Sequence, residues 1–363
     1  MVAGASPFPV AVKKYTLVGY VAALALLLNC AHNPPDAPMA DETPLRTVAP
    51  FPFGAALSPT RLTTGTPLYR QTAEREFSSV TAENHLKMHH VHPAQDRYDW
   101  SGSDVIVGFA EQSKKRMHGH TLVWHEAVPN WVKSFSGDSV AWEALFKTHV
   151  QTVVGKYRGR IVSWDVVNEA FDDKGELRNS IWREKLGPDF IARAFRYARE
   201  ADPAVKLFYN DYGQEYSPAK LRAMVRMVQD FRLRGVPIDG VGLQFHINVN
   251  TSEPGITDAL RQSAATGLLV HISELDVAMN TAKTTNFQPT PELLNRQKQK
   301  FQFVVKTYRD TVPKAQQHGI TTWNVGDADS WIPNFCKCSD YPLPFDVNYQ
   351  KKPAYDGILA GLR

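Results

Sequence analysis

From residue 51 onward, short runs rich in β-branched and aromatic residues alternate with longer stretches whose apolar positions recur every three or four residues. The runs at 51–57, 77–84, 117–125, 161–169, 205–212, 239–247, 268–276 and 319–327 read as strands, and 139–156, 189–200, 218–233 and 292–310 as helices. Pro218 and Pro353 suit first helical turns, and Ser139 suits an N-cap. Eight strands alternating with helices predict an α/β fold, a (β/α)8 TIM barrel, with a doubly wound open sheet as the competing arrangement. Nearly every strand run turns polar or aromatic at its C-terminal end: Glu83-Asn84, Trp124-His125, Asn168-Glu169, Asn210-Asp211, Gln244 to His246, Glu274 to Asp276, and Trp323. Closing the sheet would gather all of these around one site, which favours the barrel.

The N-terminal segment is different. Lys13 and Lys14 precede an apolar run from Leu17 to Leu28, 12 residues and too short to span a bilayer, which needs about 20. This is the layout of a secretory signal, expected over residues 1–29. Cys30 ends the run in LLNC, which resembles a lipoprotein cleavage site, although Asn29 departs from the small residue such sites carry. Plain secretion and a lipid anchor at Cys30 both stay open, and either puts the protein outside the cytoplasm, secreted or in the cell envelope. Residues 30–50 contain five prolines and read as a flexible tether. That leaves 51–363 as the barrel. Only Cys336 and Cys338 remain, two loop thiols or a tight bridge.

Composition narrows the function. The chain has 363 residues with 41 Lys+Arg and 37 Asp+Glu, a net charge of +4, and no dense basic run, so nucleic acid is not an expected partner. Eight Trp and 13 Tyr offer flat apolar faces to a ligand. Glu169 and Glu274 each end an apolar strand, where an unpaired carboxylate would be costly. Two carboxylates facing each other across a cleft suit glycoside hydrolysis, one as proton donor and one as nucleophile or base.

The segments WDVVNEAF (164–171) and HISELDV (271–277) resemble the acid/base and nucleophile segments of glycoside hydrolase family 10, the endo-β-1,4-xylanases. TAENHLK (81–87), GHTLVWH (119–125), FYNDYG (208–213), VGLQFHI (241–247), TTWNVGDADSW (321–331) and PLPFDVNYQKKPAY (342–355) extend the likeness in order along residues 50–363. The resemblance implies a retaining mechanism on xylan or xylo-oligosaccharides, with no cofactor and no metal. Glu169 is the implied acid/base and Glu274 the implied nucleophile, about 5–5.5 Å apart. Glu169 must then hold a proton near neutral pH, so its surroundings are expected to favour the neutral form. Asn168 is the implied partner of the sugar 2-hydroxyl, and His246 and Asp276 orient the nucleophile beside Gln244. Glu83, Asn84 and Lys87 grip the sugars on the non-reducing side, His120 and Trp124 shape the subsite at the scissile bond, and Trp323 and Trp331 form aromatic walls. Strand parity requires a twist or bulge in the fourth strand, because Glu169 and Asn168 otherwise point to opposite faces.

Three positions depart from the family pattern: Met88 where Trp is usual, Ala127 where Gln is usual, and Asn324 where Gly is usual. They leave room for a same-mechanism enzyme that prefers xylo-oligosaccharides or another β-glycan. A binding protein with a dead site is the reading from another functional class, and the intact glutamate pair opposes it. His85, His89, His90 and His92 cluster near Met88, and His85 and His89 have the spacing of two ligands on one helical face, although the bland reading is a polar loop.

Overall fold

The computed structural model describes residues 43–363. The expected signal segment, Cys30 and most of the expected tether lie outside the described residues. The last part of that tether is folded. Leu45–Val48 forms a helical turn, Leu45 is fully buried, and its backbone N–H donates to Glu76 Oε2 at 3.1 Å. The Tyr355 hydroxyl donates to the same oxygen at 2.8 Å. The folded unit therefore takes in residues from 43 rather than 51. One apolar side chain with a buried carboxylate for its backbone is enough to tie down a proline-flanked stretch.

The strands are β1 (Phe53–Leu57), β2 (Ser79–Ala82), β3 (Arg116–Trp124), β4 (Ser163–Asn168), β5 (Lys206–Asp211), β6 (Gly240–Leu243), β7 (His246–Asn248), β8 (Leu269–Ala278) and β9 (Gln317–Thr322). Every ladder between them is parallel, and β1 pairs with both β2 and β9, which closes the sheet and excludes the open arrangement. β7 continues β6 beyond Gln244 and Phe245, so the nine strands make eight staves; β6 pairs with the start of β8 and β7 with its end. Each of the eight expected strand runs supplies one stave.

The helices follow from capping and apolar spacing. Pro218–Leu233 starts with Pro at its first turn and Ser217 as its cap, and Pro353 likewise opens the last helix. The helix Ser139–Lys156 is capped one residue earlier than expected. Asp138, not Ser139, accepts from the Ala141 N–H at 2.9 Å, and its negative charge also suits the positive end of the helix. In Pro291–Thr311, Phe301, Val304, Val305 and Tyr308 share the buried face. Each such side chain contributes about 1.5–3 kcal/mol on burial.

Three irregularities set the aim of the strand ends. Along β4, Asp165 pairs with Phe208 but Val167 pairs with Tyr209, so Val166 is an extra residue and parity flips. Asn168 then shares the inward face with Asp165, as the parity argument required. Along β8, Ile272 pairs with Ile320 but Leu275 pairs with Thr322, which moves the inward set from His271 and Ser273 to Glu274 and Asp276. A register shift between His120 and Val123 sits at the same height in β3. Bulges of this kind re-aim side chains at sites.

The interior below the strand ends is unusually polar for a barrel, whose layers are ordinarily aliphatic. His118, His120, Ser163, Asp165, His271, His318 and Thr321 are all buried there.

Candidate active site

Glu169 follows β4 with φ +55°. That left-handed turn brings its carboxyl to the cleft beside Asn168 rather than opposite it. Its Oε2 accepts from the Trp124 indole N–H at 2.9 Å, and its Oε1 accepts from Gln244 Nε2 at 2.9 Å and Asn168 Nδ2 at 3.2 Å. Asn168 Oδ1 in turn accepts from Asn210 Nδ2 at 3.0 Å and Gln244 Nε2 at 3.2 Å. With its oxygen committed inward, the Asn168 amide nitrogen faces the cleft as a donor.

Glu274 is 4 % exposed and stands in β8 just past the parity change. Its Oε1 accepts from Asn210 Nδ2 at 2.8 Å, its Oε2 is 3.2 Å from His246 Nε2, and the His120 ring nitrogen Nδ1 is 3.9 Å away. His246 Nδ1 reaches Asp276 Oδ2 at 2.8 Å, and that oxygen also accepts from the Trp331 indole at 2.9 Å. Burial works against the charge on His246, but Asp276 and Glu274 outweigh it and push the ring up to about 10. His246 is thus an imidazolium that donates to both carboxylates. Burial alone would raise the Glu274 carboxyl; His120, His246 and Lys87 together hold it below its ordinary value. Asp276 is raised by burial, which His246 only partly offsets.

Lys87 closes the other wall. Its ammonium donates to Asn84 Oδ1 at 2.9 Å and lies 4.9 Å from the centre of the Trp124 ring and 5.8 Å from that of Trp323. Burial lowers Lys87, opposed by the negative charges of Glu274, Glu83 and Glu169. Burial raises Glu83, with Lys87 opposing. The His120 ring packs edge-on against Trp323 at 5.2 Å, and His246 lies 4.8 Å from Trp331.

These side chains line one cleft of about 980 Å³ at the C-terminal end of the barrel. All thirteen expected site residues are on it: Glu83, Asn84, Lys87, His120, Trp124, Asn168, Glu169, Gln244, His246, Glu274, Asp276, Trp323 and Trp331. The sequence reading missed Asn210, fully buried below the cleft, whose single amide group ties Asn168 to Glu274. Its place at the polar end of a strand run was the available signal. It also missed Tyr212, Tyr216, Glu126, Asn248 and Asn280 on the walls. All but Asn248, the last residue of β7, lie in loops, which carry no periodicity to flag them.

The Glycosyl hydrolase family 10 profile matches residues 45–361. The chain belongs to glycosyl hydrolase family 10. It is 39 % identical over 347 residues to the endo-β-1,4-xylanase Xyn10C of Cellvibrio japonicus, covering 88 % of this chain and 57 % of that protein. With the endo-1,4-β-xylanase of Geobacillus stearothermophilus it shares 36 % identity over 323 residues, 84 % of this chain and 94 % of that one. A variant of the Cellvibrio japonicus xylanase 10C solved in complex with xylopentaose superimposes with a TM-score of 0.84 at 38 % identity, covering 89 % of this chain and 69 % of that chain. The chain thus spans little more than half the length of Xyn10C.

Within this family-10 barrel the three departures are not on the cleft surface. Met88 and Ala127 are buried against each other's segments, with the His89 N–H donating to the Ala127 carbonyl at 3.1 Å. Asn324 is buried with φ +98°, a backbone state that explains why glycine is usual there. Glu126, the neighbour of Ala127, is the residue that reaches the cleft. The helix Met88–Val91 begins after His85, so His85 and His89 do not share a helical face; His85 stacks on His90 at 4.6 Å instead. Asp327 and Asp329 hold loops, accepting from the Leu343 N–H at 2.9 Å and the Tyr349 hydroxyl at 3.0 Å. Cys336 and Cys338 are joined as a disulfide at the cleft rim.

Proposed function

We propose that this protein is a retaining endo-β-1,4-xylanase. The observation that carries the reading is the contrast between two linked carboxyls. The Glu274 carboxyl is held below its ordinary value by His120, His246 and Lys87, while the hydrogen bonds to the Glu169 carboxyl in the described residues come only from uncharged side chains. Glu274 attacks the anomeric carbon as Glu169 passes its proton to the departing glycosidic oxygen, leaving a glycosyl ester on Glu274. Glu169, now a carboxylate, takes a proton from water, the water oxygen bonds the anomeric carbon, and the Glu274–sugar bond breaks with the electron pair returning to Glu274. The cleft-facing Asn168 amide is placed to donate to the 2-hydroxyl of the reacting sugar. Trp323 and Trp331 provide flat walls on the cleft, and bulky aromatics there favour xylose, which lacks the hydroxymethyl group of a hexose.

Reducing-sugar release from glucuronoxylan and from xylohexaose, compared between wild type and Glu274→Gln, tests this. Release from the polymer that the substitution abolishes is the expected result. Release from the oligomer alone moves the specificity to short chains while keeping the chemistry, and release from neither overturns the assignment.

We further infer delivery to the cell envelope or medium, supported by the basic pair and 12-residue apolar run ahead of Cys30. Mass spectrometry of the mature N-terminus separates the arms. A diacylglyceryl-modified Cys30 means a lipid anchor, an unmodified cleavage product means plain secretion, and an intact Met1 overturns both.

A further inference from the structure

At the end of the barrel away from the cleft, three histidines from three staves meet in the interior. They are His118 of β3, His271 of β8 and His318 of β9, with one ring nitrogen of each within 4.8 Å of the others. Their ring centres are 4.8, 5.1 and 5.9 Å apart and the rings meet edge to face. They are 2 %, 3 % and 7 % exposed, respectively. His118 Nε2 lies 3.0 Å from Asp165 Oδ1, which leaves Nδ1 to face Ser163 Oγ at 2.7 Å. His271 Nε2 contacts Thr321 Oγ1 at 2.9 Å, while its Nδ1 is buried with no partner. His318 Nε2 contacts the same Ser163 hydroxyl at 3.0 Å. His118 Nε2 and His271 Nδ1 are both buried without a hydrogen-bond partner among the described residues, while Ser163 and Thr321 hold the other nitrogen of each ring, so the cluster carries imidazole nitrogens that nothing in the floor satisfies.

We propose that His118, His271 and His318 form a binding site for a divalent transition-metal ion of the zinc, nickel or copper class in the floor of the barrel. The donor set is the first argument. Three imidazoles suit these ions, whereas calcium and magnesium are bound by oxygen ligands and not by a set of imidazoles. Charge is the second. Arg116, which donates to the His318 carbonyl at 3.3 Å, and Lys206 add positive charge near the floor, with Asp165 as the compensating carboxylate. That balance selects against hard cations held by charge alone. Metal–nitrogen distances of about 2.0–2.1 Å require each ring to close inward by about 1 Å, with the Ser163 hydroxyl rotating away or taking the fourth position. The site connects to the cleft through Asp165, whose other oxygen accepts from His120 Nδ1 at 2.9 Å.

The test uses the full chain, stripped with EDTA and titrated calorimetrically with Zn²⁺, then with Co²⁺ followed by visible absorption. One saturable equivalent and the strong visible bands of a four-coordinate cobalt site are expected. His271→Gln and His318→Gln should each weaken binding by about 100-fold or more, and a His89→Gln/His90→Gln double variant should not. Wild-type uptake below about a tenth of an equivalent overturns the proposal, and so does uptake that the double variant abolishes and His271→Gln keeps. As a readout that needs no variant, Zn²⁺ should raise the melting temperature of the stripped wild type where Mg²⁺ at equal concentration does not; equal shifts overturn the site.

Discussion

Glu169 and Glu274 are the same residue type at the ends of two parallel strands, yet their surroundings are opposite in kind. Glu274 is embedded: its carboxyl accepts from the Asn210 amide at 2.8 Å, stands 3.2 Å from His246 and 3.9 Å from His120, and faces the Lys87 ammonium, and these rings and the ammonium hold it below its ordinary value. The Glu169 carboxyl receives its hydrogen bonds from an indole and two amides, none of which carries charge. Cations favour a carboxylate that must stay ionised to attack. Neutral N–H donors fix the position of the Glu169 carboxyl without bringing a full positive charge to it, and a group that must lose and regain a proton in each turnover has to be held in reach of the leaving oxygen in both states. The difference comes from what the neighbouring staves present and not from the glutamates themselves.

The sharpest way to break the comparison is Glu274→Gln, which removes the nucleophile while keeping its shape. We expect turnover on xylan to fall by about 10⁴-fold or more, read by reducing-sugar release, with xylohexaose binding retained. Glu169→Gln should cost about 10²–10⁴-fold on xylan. The first step should suffer much less on an aryl β-xylobioside, whose phenolate leaves without a proton, so a burst of phenol ahead of slow turnover is the expected trace. An equal loss in that burst would deny Glu169 its proton-donor role. Asn210→Ala removes the amide that ties Asn168 to Glu274. A fall in kcat of about tenfold to a hundredfold with KM little changed is expected from steady-state kinetics, because the tie serves the transition state more than binding.

His246→Asn acts on pH dependence. Glu274 lies below its ordinary value in the wild type, so it remains ionised as pH falls through the usual glutamate range and the acid limb of kcat/KM lies below that range. Loss of the imidazolium leaves burial less opposed, which favours the neutral acid, and the limb should move up by about one pH unit. A limb that stays in place would show that His120 and Lys87 suffice. The smallest effect is expected at the rim. Glu126 is a carboxylate on the cleft whose side chain is 66 % exposed. Glu126→Gln should raise activity on glucuronoxylan relative to undecorated xylohexaose by less than about threefold, and added salt should erase the gain.

Much of this molecule was legible in its sequence. Eight β-rich runs marked eight staves, and the polar or aromatic residues that ended nearly every run pointed to the cleft. Periodicity works here because each stave buries both faces and each helix one, so apolar spacing reports the element directly. Short motifs carried the chemistry for a related reason: a strand end fixes its side chains locally, and WDVVNEAF and HISELDV each lie within a single strand end. The same logic foresaw a bulge in β4, since two adjacent residues cannot share one face of a regular strand.

Other features exist only across staves. Asn210 as the tie between Asn168 and Glu274 joins three strands, and no spacing along the chain shows it. His118, His271 and His318 are separated by 153 and 47 positions in the sequence and meet because barrel closure stacks inward-facing residues of β3, β8 and β9 in one layer. Ala127 and Asn324 read as departures that bear on substrate preference, and the structure buries both, because which side of a loop faces solvent depends on what packs beneath it. Local pattern thus determined the staves, the helices and the reactive pair. Closure of the barrel decided which side chains touch, and with that the charge around each glutamate, since electrostatic and hydrogen-bonding energies depend on distances through space that the order of residues does not contain.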